Sequence, residues 1–281
     1  PCSLALRPVF LLNRYAVNIP NNFYLDTARA DSCAVGTQAP LVHSVTNLVV
    51  TASNADVLLA AAASPTMAYA IEEVADLARK SGAVVVNIGT LDSHWFPAMQ
   101  LAVCTASQAG KPSMPDPVRL ATSGGALITL PMVRRLRQQL FGACTLIAPN
   151  LDEVGPLVGR RIDTLDDALD AEQTSADQGT RAVLVNGGHL QTTRMTDALF
   201  HASGVCWQRS APSLTSRNLH AKGRSLCAAI ATLLAPSLEL MDAVAAAHRW
   251  LRCALRLGSG HVPLNHFYNP LSLIPLENSH A

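Results

Sequence analysis

The chain has 281 residues, is 49% hydrophobic and only 15% charged, and carries a formal net charge of +1 at pH 7. That apolar content supplies the core of one large α/β domain or two small ones. The near-neutral balance argues against the broad basic face that nucleic acid requires.

Residues 1–35 show little periodicity. The apolar run within 1–12 is short, is broken by Pro8 and lacks a signal-peptide pattern, and 18–22 reads as a turn. From Pro40 the pattern sharpens. A short strand is expected over 41–45, then Asn47, then a helix over 51–63 that Ser64-Pro65 ends. The apolar part of that helix, 57–63, is too short to span a bilayer. A second helix is expected over 71–81, with Glu72 and Glu73 in its first turn, where negative charge suits the helix N-terminus. Val84-Val85-Val86-Asn87-Ile88 is β-branched and continuous, the pattern of a strand buried on both faces. A helix over 95–108, a loop over 121–125 and a helix over 131–140, opened by Pro131, follow. A strand over 145–148 stops at Pro149-Asn150 and leads into short helices over 151–158 and 165–178. A strand over 182–185 precedes Gly187-Gly188, and 196–200 with 205–207 read as a hairpin. Two helices, over 225–234 and 238–255, complete the pattern.

Helices and strands alternating at this spacing build a mostly parallel sheet covered on both faces. Ligands of such sheets bind beyond the carboxyl ends of the strands. The loops to inspect are therefore Thr46-Asn47, Asn87-Ile88-Gly89, Asp116-Pro117, Pro149-Asn150 and Asn186-Gly187-Gly188. To these we add the stretch Arg217 to Cys227, in which a glycine-bearing turn opens an Ala-rich helix and offers unpaired N–H groups to an anion. The seven cysteines are scattered without a CxxC pair, and the nine histidines form no HExxH spacing. Both facts speak against a zinc site, and the cysteines suit a reducing compartment.

The segments Pro40-Leu41-Val42-His43-Ser44-Val45-Thr46-Asn47, Ala63-Ser64-Pro65-Thr66-Met67-Ala68 and Val86-Asn87-Ile88-Gly89-Thr90-Leu91 resemble hydroxyethylthiazole kinase. From Asp116 onward the chain looks more like hydroxymethylpyrimidine (phosphate) kinase. The matches there are Asp116-Pro117-Val118 with Ser123-Gly124, Ile147-Ala148-Pro149-Asn150-Leu151-Asp152-Glu153, Val185-Asn186-Gly187-Gly188-His189-Leu190, 218–226 and 260–267. Both are vitamin kinases of the ribokinase superfamily serving thiamin synthesis or salvage. The resemblance implies a ribokinase-like three-layer α/β/α sandwich forming one domain over 1–281. It also implies ATP and Mg²⁺ as cofactors, a small heterocyclic alcohol as substrate, a cytoplasmic setting without membrane or nucleic-acid partners, and a homo-oligomer, trimer or dimer.

Residue by residue, the resemblance puts Asn47 and Met67 at the substrate, Asp116 and Glu153 at the metal, and Asn150, Asn186, Gly187, Gly188 and His220 at the nucleotide. The catalytic turn falls on Ala221, Lys222, Gly223 and Arg224. Here the chain departs from the vitamin-kinase pattern His-Gly-Thr-Gly-Cys-Thr-Leu-Ser. Alanine replaces the first glycine, lysine the threonine and arginine the cysteine, while Asn186 stands where lysine precedes Gly-Gly-His. A guanidinium stays protonated and cannot be a general base, but it can clamp a phosphate. Three readings stay open: a thiazole kinase, a pyrimidine kinase, and a lapsed kinase fold that binds ligand without turnover. The bland alternatives are also concrete. Glu153 is an ordinary first-turn helix acid, Gly187-Gly188 a plain tight turn, Met67 a core residue and Arg224 a solvated helix-start residue.

Overall fold

The structure, a computed structural model, describes residues 39–48, 50–89, 94–116, 130–158, 162, 167, 181–187, 194–201, 204–212 and 220–257. The expected features at 1–35, 121–125, Gly188, 260–267 and all of 165–178 except Asp167 lie outside them.

Four strands, β1 (Leu41–Val45), β2 (Ser64–Thr66), β3 (Ala83–Asn87) and β4 (Ser113–Asp116), form a parallel sheet in the order β2-β1-β3-β4. Between them lie α1 (Thr51–Ala60), α2 (Val74–Lys80) and α3 (Phe96–Gln108). A second sheet joins β5 (Ala182–Asn186), β6 (Arg194–His201) and β7 (Gly204–Pro212) antiparallel in that order. The segment expected as a strand over 145–148 links the two sheets. Thr145 N–H donates to the Ser113 carbonyl, and bridges at Ile147↔Val183 and Asn150↔Asn186 run parallel to β5.

The continuous apolar run of β3 reflects burial on both faces. Ala83 and Val85 pack with α1, α6 (His220–Leu234) and α7 (Leu240–Leu257) on one side. Val84 and Val86 pack with α2, α3 and α4 (Leu130–Gln139) on the other. Since successive strand side chains alternate, one strand serves two cores, and the layers are helix, sheet, helix. A smaller apolar cluster seats α5 (Leu151–Val158), through Leu151 and Val154, on Val183, Val185, Ala198 and Phe200. α6 lies deepest: Leu226 to Ala231, Leu233 and Leu234 are all buried, and its many alanines let it approach both α1 and the strands closely.

Two expected boundaries differ. The 51–63 helix stops at Ala60, and Ser64-Pro65 forms a strand. The stop is backbone geometry, since Ala63 N–H reaches the Leu58 carbonyl, Ala62 N–H reaches the Leu59 carbonyl, and Ala62 takes a left-handed φ of 69°. Pro65 then fits because β2 ends the described sheet order, where no ladder donor is required of it. An alanine in this conformation is strained, so Ala62→Gly is expected to stabilise the protein by about 0.5–1 kcal/mol in urea denaturation. The second difference is α6, which begins at His220 rather than near 225. Ala221, Lys222 and Arg224 are all good helix formers and draw the expected turn into the helix.

Candidate active site

The carboxyl ends of the parallel strands and the amino end of α6 meet at one edge of the sheet. There β4 delivers Asp116, which is 2% exposed, and α6 delivers Arg224. Arg224 Nε lies 3.9 Å from Asp116 Oδ2, and Nη1 donates to Ser53 Oγ on α1 at 3.5 Å. Burial pushes the Asp116 carboxyl up to about 6, while the Arg224 guanidinium pulls the other way. Arg224 is thus not a solvated helix-start residue; its side chain is 19% exposed and covers a carboxylate that is 3% exposed.

Glu153 is the third residue of α5 and is bound reciprocally to the residue that caps it. Asn150 N–H donates to Glu153 Oε2 at 2.9 Å, and Glu153 N–H donates to Asn150 Oδ1 at 3.0 Å. This is a capping box, which explains the pair locally. Burial pushes the Cys227 thiol well up, and both Asp116 and Glu153 push it further. Cys227 is thus buried and held as the neutral thiol.

The residues present do not suit a divalent ion here. Glu153 Oε2 is engaged by its cap, Asp116 faces a guanidinium, and among the described residues no cluster of three or more His, Cys, Asp or Glu side chains could hold a metal.

Lys222 occupies a second part of the same edge. Burial lowers its pKa, Asp197 raises it and Arg252 lowers it, and Nζ is buried without a hydrogen-bond partner. Asp197 sits opposite Asn186 in the β5–β6 register, and its Oδ1 accepts from Gly187 N–H at 3.0 Å. Its Oδ2 lies 3.5 Å from His248 Nδ1 on α7, and the His248 ring stacks on Trp207 with centroids 5.2 Å apart. Of the two basic residues that could replace a lysine at position 186, only Lys222 is on the correct side. Arg181 precedes the other end of β5, roughly 16 Å away along a strand rising about 3.3 Å per residue.

The remaining candidates divide clearly. Asn186 directs its side-chain amide to the Ala148 carbonyl at 3.1 Å. Gly187 makes room for the protein's own backbone, since a Cβ there would lie 2.0 Å from the Thr196 carbonyl oxygen. At Gly223 a Cβ would meet nothing within 4 Å, so that glycine leaves open space at the first turn of α6. His220 and Ala221 open the helix. Asn47 follows β1 and accepts from Val50 N–H at 3.2 Å through Oδ1, turning the chain into α1. Met67 follows β2, the outermost of the parallel strands, and packs partly buried against the α1–α6–α7 core.

Three residues of this edge escape sequence reasoning: Ser53, Asp197 and His248. Asp197 leaves a trace, as an acid in a strand directly after Thr196 and before three apolar residues. Ser53 and His248 acquire their meaning only through contacts far apart in sequence.

A family model for phosphomethylpyrimidine kinase matches residues 40–271. The chain belongs to this family. A hydroxymethylpyrimidine/phosphomethylpyrimidine kinase of Rhizobium meliloti is 38% identical over 167 residues, 57% of this chain and 62% of that protein. The chain thus spans less than two thirds of that relative's length. A hydroxyethylthiazole kinase of Leptospira biflexa is 32% identical over 202 residues, 71% of this chain and 74% of the relative. The solved hydroxyethylthiazole kinase of Pyrococcus horikoshii superposes with a TM-score of 0.62 at 26% identity, covering 84% of this chain and 85% of its own. An ADP complex of Bacillus subtilis pyridoxal kinase superposes at 0.69 with 17% identity, over 83% and 98%, and shows the shared ribokinase-like fold alone. The family thus carries both vitamin-kinase resemblances read from the sequence. No described helix is long and apolar enough to cross a membrane.

Proposed function

We propose that this protein is a small-molecule kinase that transfers the γ-phosphoryl group of ATP to the hydroxyethyl oxygen of 4-methyl-5-(2-hydroxyethyl)thiazole. The observation that carries the phosphoryl part is the amino end of α6, where Lys222 and Arg224 stand in the first turns of the helix at the carboxyl edge of the sheet. Similarity to the Leptospira and Pyrococcus thiazole kinases supports the acceptor. In this reading Asn150, Asn186, Gly187, Gly188 and His220 line the nucleotide, and Asn47 and Met67 line the heterocycle.

Phosphoryl transfer has a loose transition state, with charge spread over the transferring group's oxygens. Helix N–H groups, the Lys222 ammonium and the Arg224 guanidinium offset that charge without moving. Neither Arg224 nor the buried Cys227 thiol takes the acceptor's proton. Transfer then rests on alignment: the acceptor oxygen bonds to the γ-phosphorus as ADP leaves, the hydroxyl proton passes late to water or a phosphoryl oxygen, and the rate is low for such an enzyme. Mg²⁺ travelling with the nucleotide would have to coordinate elsewhere than Asp116 as this structure holds it.

A second reading follows from the Arg224–Asp116 pair. Tight ground-state binding of phosphate by these cations, without improved transition-state alignment, gives affinity without turnover. The deciding experiment offers hydroxyethylthiazole and hydroxymethylpyrimidine separately with ATP and detects products by mass, with Arg224→Cys in parallel. Thiazole phosphate from the natural sequence is the expected result. Pyrimidine phosphate alone would move the acceptor to the other branch of the family. No product from the natural chain, with turnover in Arg224→Cys, would establish the binding-only reading.

A further inference from the structure

We infer that Arg224 holds, with its own charge, the place beside Asp116 that a divalent cation would take, and that this chain therefore recognises phosphate without a metal at that carboxylate. Three observations lead there. The Asp116 carboxylate is buried at the end of β4, and Oδ2 has no hydrogen-bond partner. Such a group is costly to bury as a charge, and a neighbouring positive charge offsets that cost. Glu153, the other acid the resemblance assigns to a metal, already accepts from Asn150 N–H through Oε2 at 2.9 Å. The cation present is the guanidinium, 3.9 Å away and secured to α1 through Ser53 Oγ.

Geometry also decides which partner an incoming ion would meet. Arg224 is the more exposed member of the pair and Asp116 the more enclosed, so a metal arriving from solvent encounters positive charge before it can reach oxygen. Magnesium demands close oxygen ligands in near-octahedral order and sheds its waters reluctantly. Here Asp116 Oδ2 faces a guanidinium instead, and Glu153 Oε2 already accepts from its cap. An anion meets the opposite situation: the planar fork of Arg224 has five donors, of which only one on Nη1 is hydrogen-bonded, to Ser53, while Nε lies 3.9 Å from Asp116 Oδ2. Lys222, also in the first turns of α6, adds a buried ammonium whose Nζ makes no hydrogen bond and which Asp197 attracts. Gly223 between them leaves the approach open. Asp116 thus acts as a positioning residue that sets the Arg224 fork.

Two titrations of the full chain test this. Free Mn²⁺ is followed by paramagnetic resonance as protein is added, and ADP affinity is measured by calorimetry in MgCl₂ and in EDTA. The natural chain is expected to take up no Mn²⁺ and to bind ADP within twofold under both conditions. Arg224→Ala, or Arg224→Gln where alanine impairs folding, is expected to take up Mn²⁺. It should lose at least tenfold in ADP affinity in EDTA and recover it in MgCl₂. Adding Asp116→Asn should abolish the acquired Mn²⁺ uptake. Mn²⁺ binding by the natural chain that Asp116→Asn removes, or ADP binding tenfold tighter with MgCl₂, would overturn the inference. So would folded Arg224 variants that take up no Mn²⁺. The ADP arm rests on the kinase reading and the Mn²⁺ arm does not. Absence of ADP binding with Mn²⁺ uptake confined to the Arg224 variants would retain the cation replacement and remove the kinase.

Discussion

Gly187→Ala is expected to destabilise the protein by about 3 kcal/mol or more, at the upper end of what overpacking costs. The added Cβ would lie 2.0 Å from the Thr196 carbonyl oxygen, 3.0 Å from its carbon and 3.2 Å from its nitrogen. All three are main-chain atoms of β6, so no side-chain rotation relieves the clash. Relief requires β5 and β6 to part where Asn186 pairs with Asp197, which would also break the Gly187 N–H bond to Asp197. Gly223→Ala is the informative companion. It meets no neighbour and replaces a helical glycine, so it should be neutral or stabilising by up to about 1 kcal/mol. Urea denaturation of the two variants checks both expectations. Should Gly187→Ala unfold at the natural midpoint, the close approach of β5 and β6 described here would be wrong.

The second large effect is a loss of stability in mild acid traceable to His248. Burial lowers its pKa to about 4; Asp197 raises it, and Arg209 and Arg252 lower it further. In the unfolded chain the value returns to 6.5. Between these values the unfolded state binds more protons, so stability falls as pH falls. The contribution is complete above pH 6.5 and is lost on approach to pH 4. At 1.36 kcal/mol per pH unit, about 2 kcal/mol disappears between pH 7 and pH 5. His43, buried and hydrogen-bonded to the Ala68 carbonyl, acts in the same direction. Asp116 opposes both, because a carboxyl raised to about 6 gains stability as pH falls through that value. The His248 share is therefore read by comparison with His248→Gln, whose denaturation midpoint should change less with pH. Parallel pH profiles for the two proteins would show that His248 is not the titrating group.

Much of the fold is legible in the chain because it depends on local pattern. β3 announces itself by consecutive β-branched residues, and α1, α2, α3 and α5 appear within a few residues of their expected limits. Boundaries set by backbone geometry are less visible. Nothing in Ala60-Ala61-Ala62-Ala63 signals that Ala62 turns left-handed, whereas Ser64-Pro65 signals a stop so strongly that it hides a strand. For the candidate site, sequence names the strand ends and the start of α6. It does not supply the pairings. Asp116 with Arg224, and Asp197 with His248, come from elements that only the folded sheet brings together. Composition at one position cannot reveal a partner about fifty or a hundred residues away.

The depth of α6 has a consequence for how the chain is made. The face of β1, β3 and β4 that bears Val42, Ala83, Val85 and Met114 is covered chiefly by α6 and α7, which are translated after every strand of both sheets. Until His220 and the residues beyond it leave the ribosome, α1 covers only part of that apolar face, and the uncovered remainder makes the nascent sheet a natural client for a holding chaperone. The same helix that closes the core also carries Lys222 and Arg224. The two cations at this edge therefore take their places in the step that completes the core.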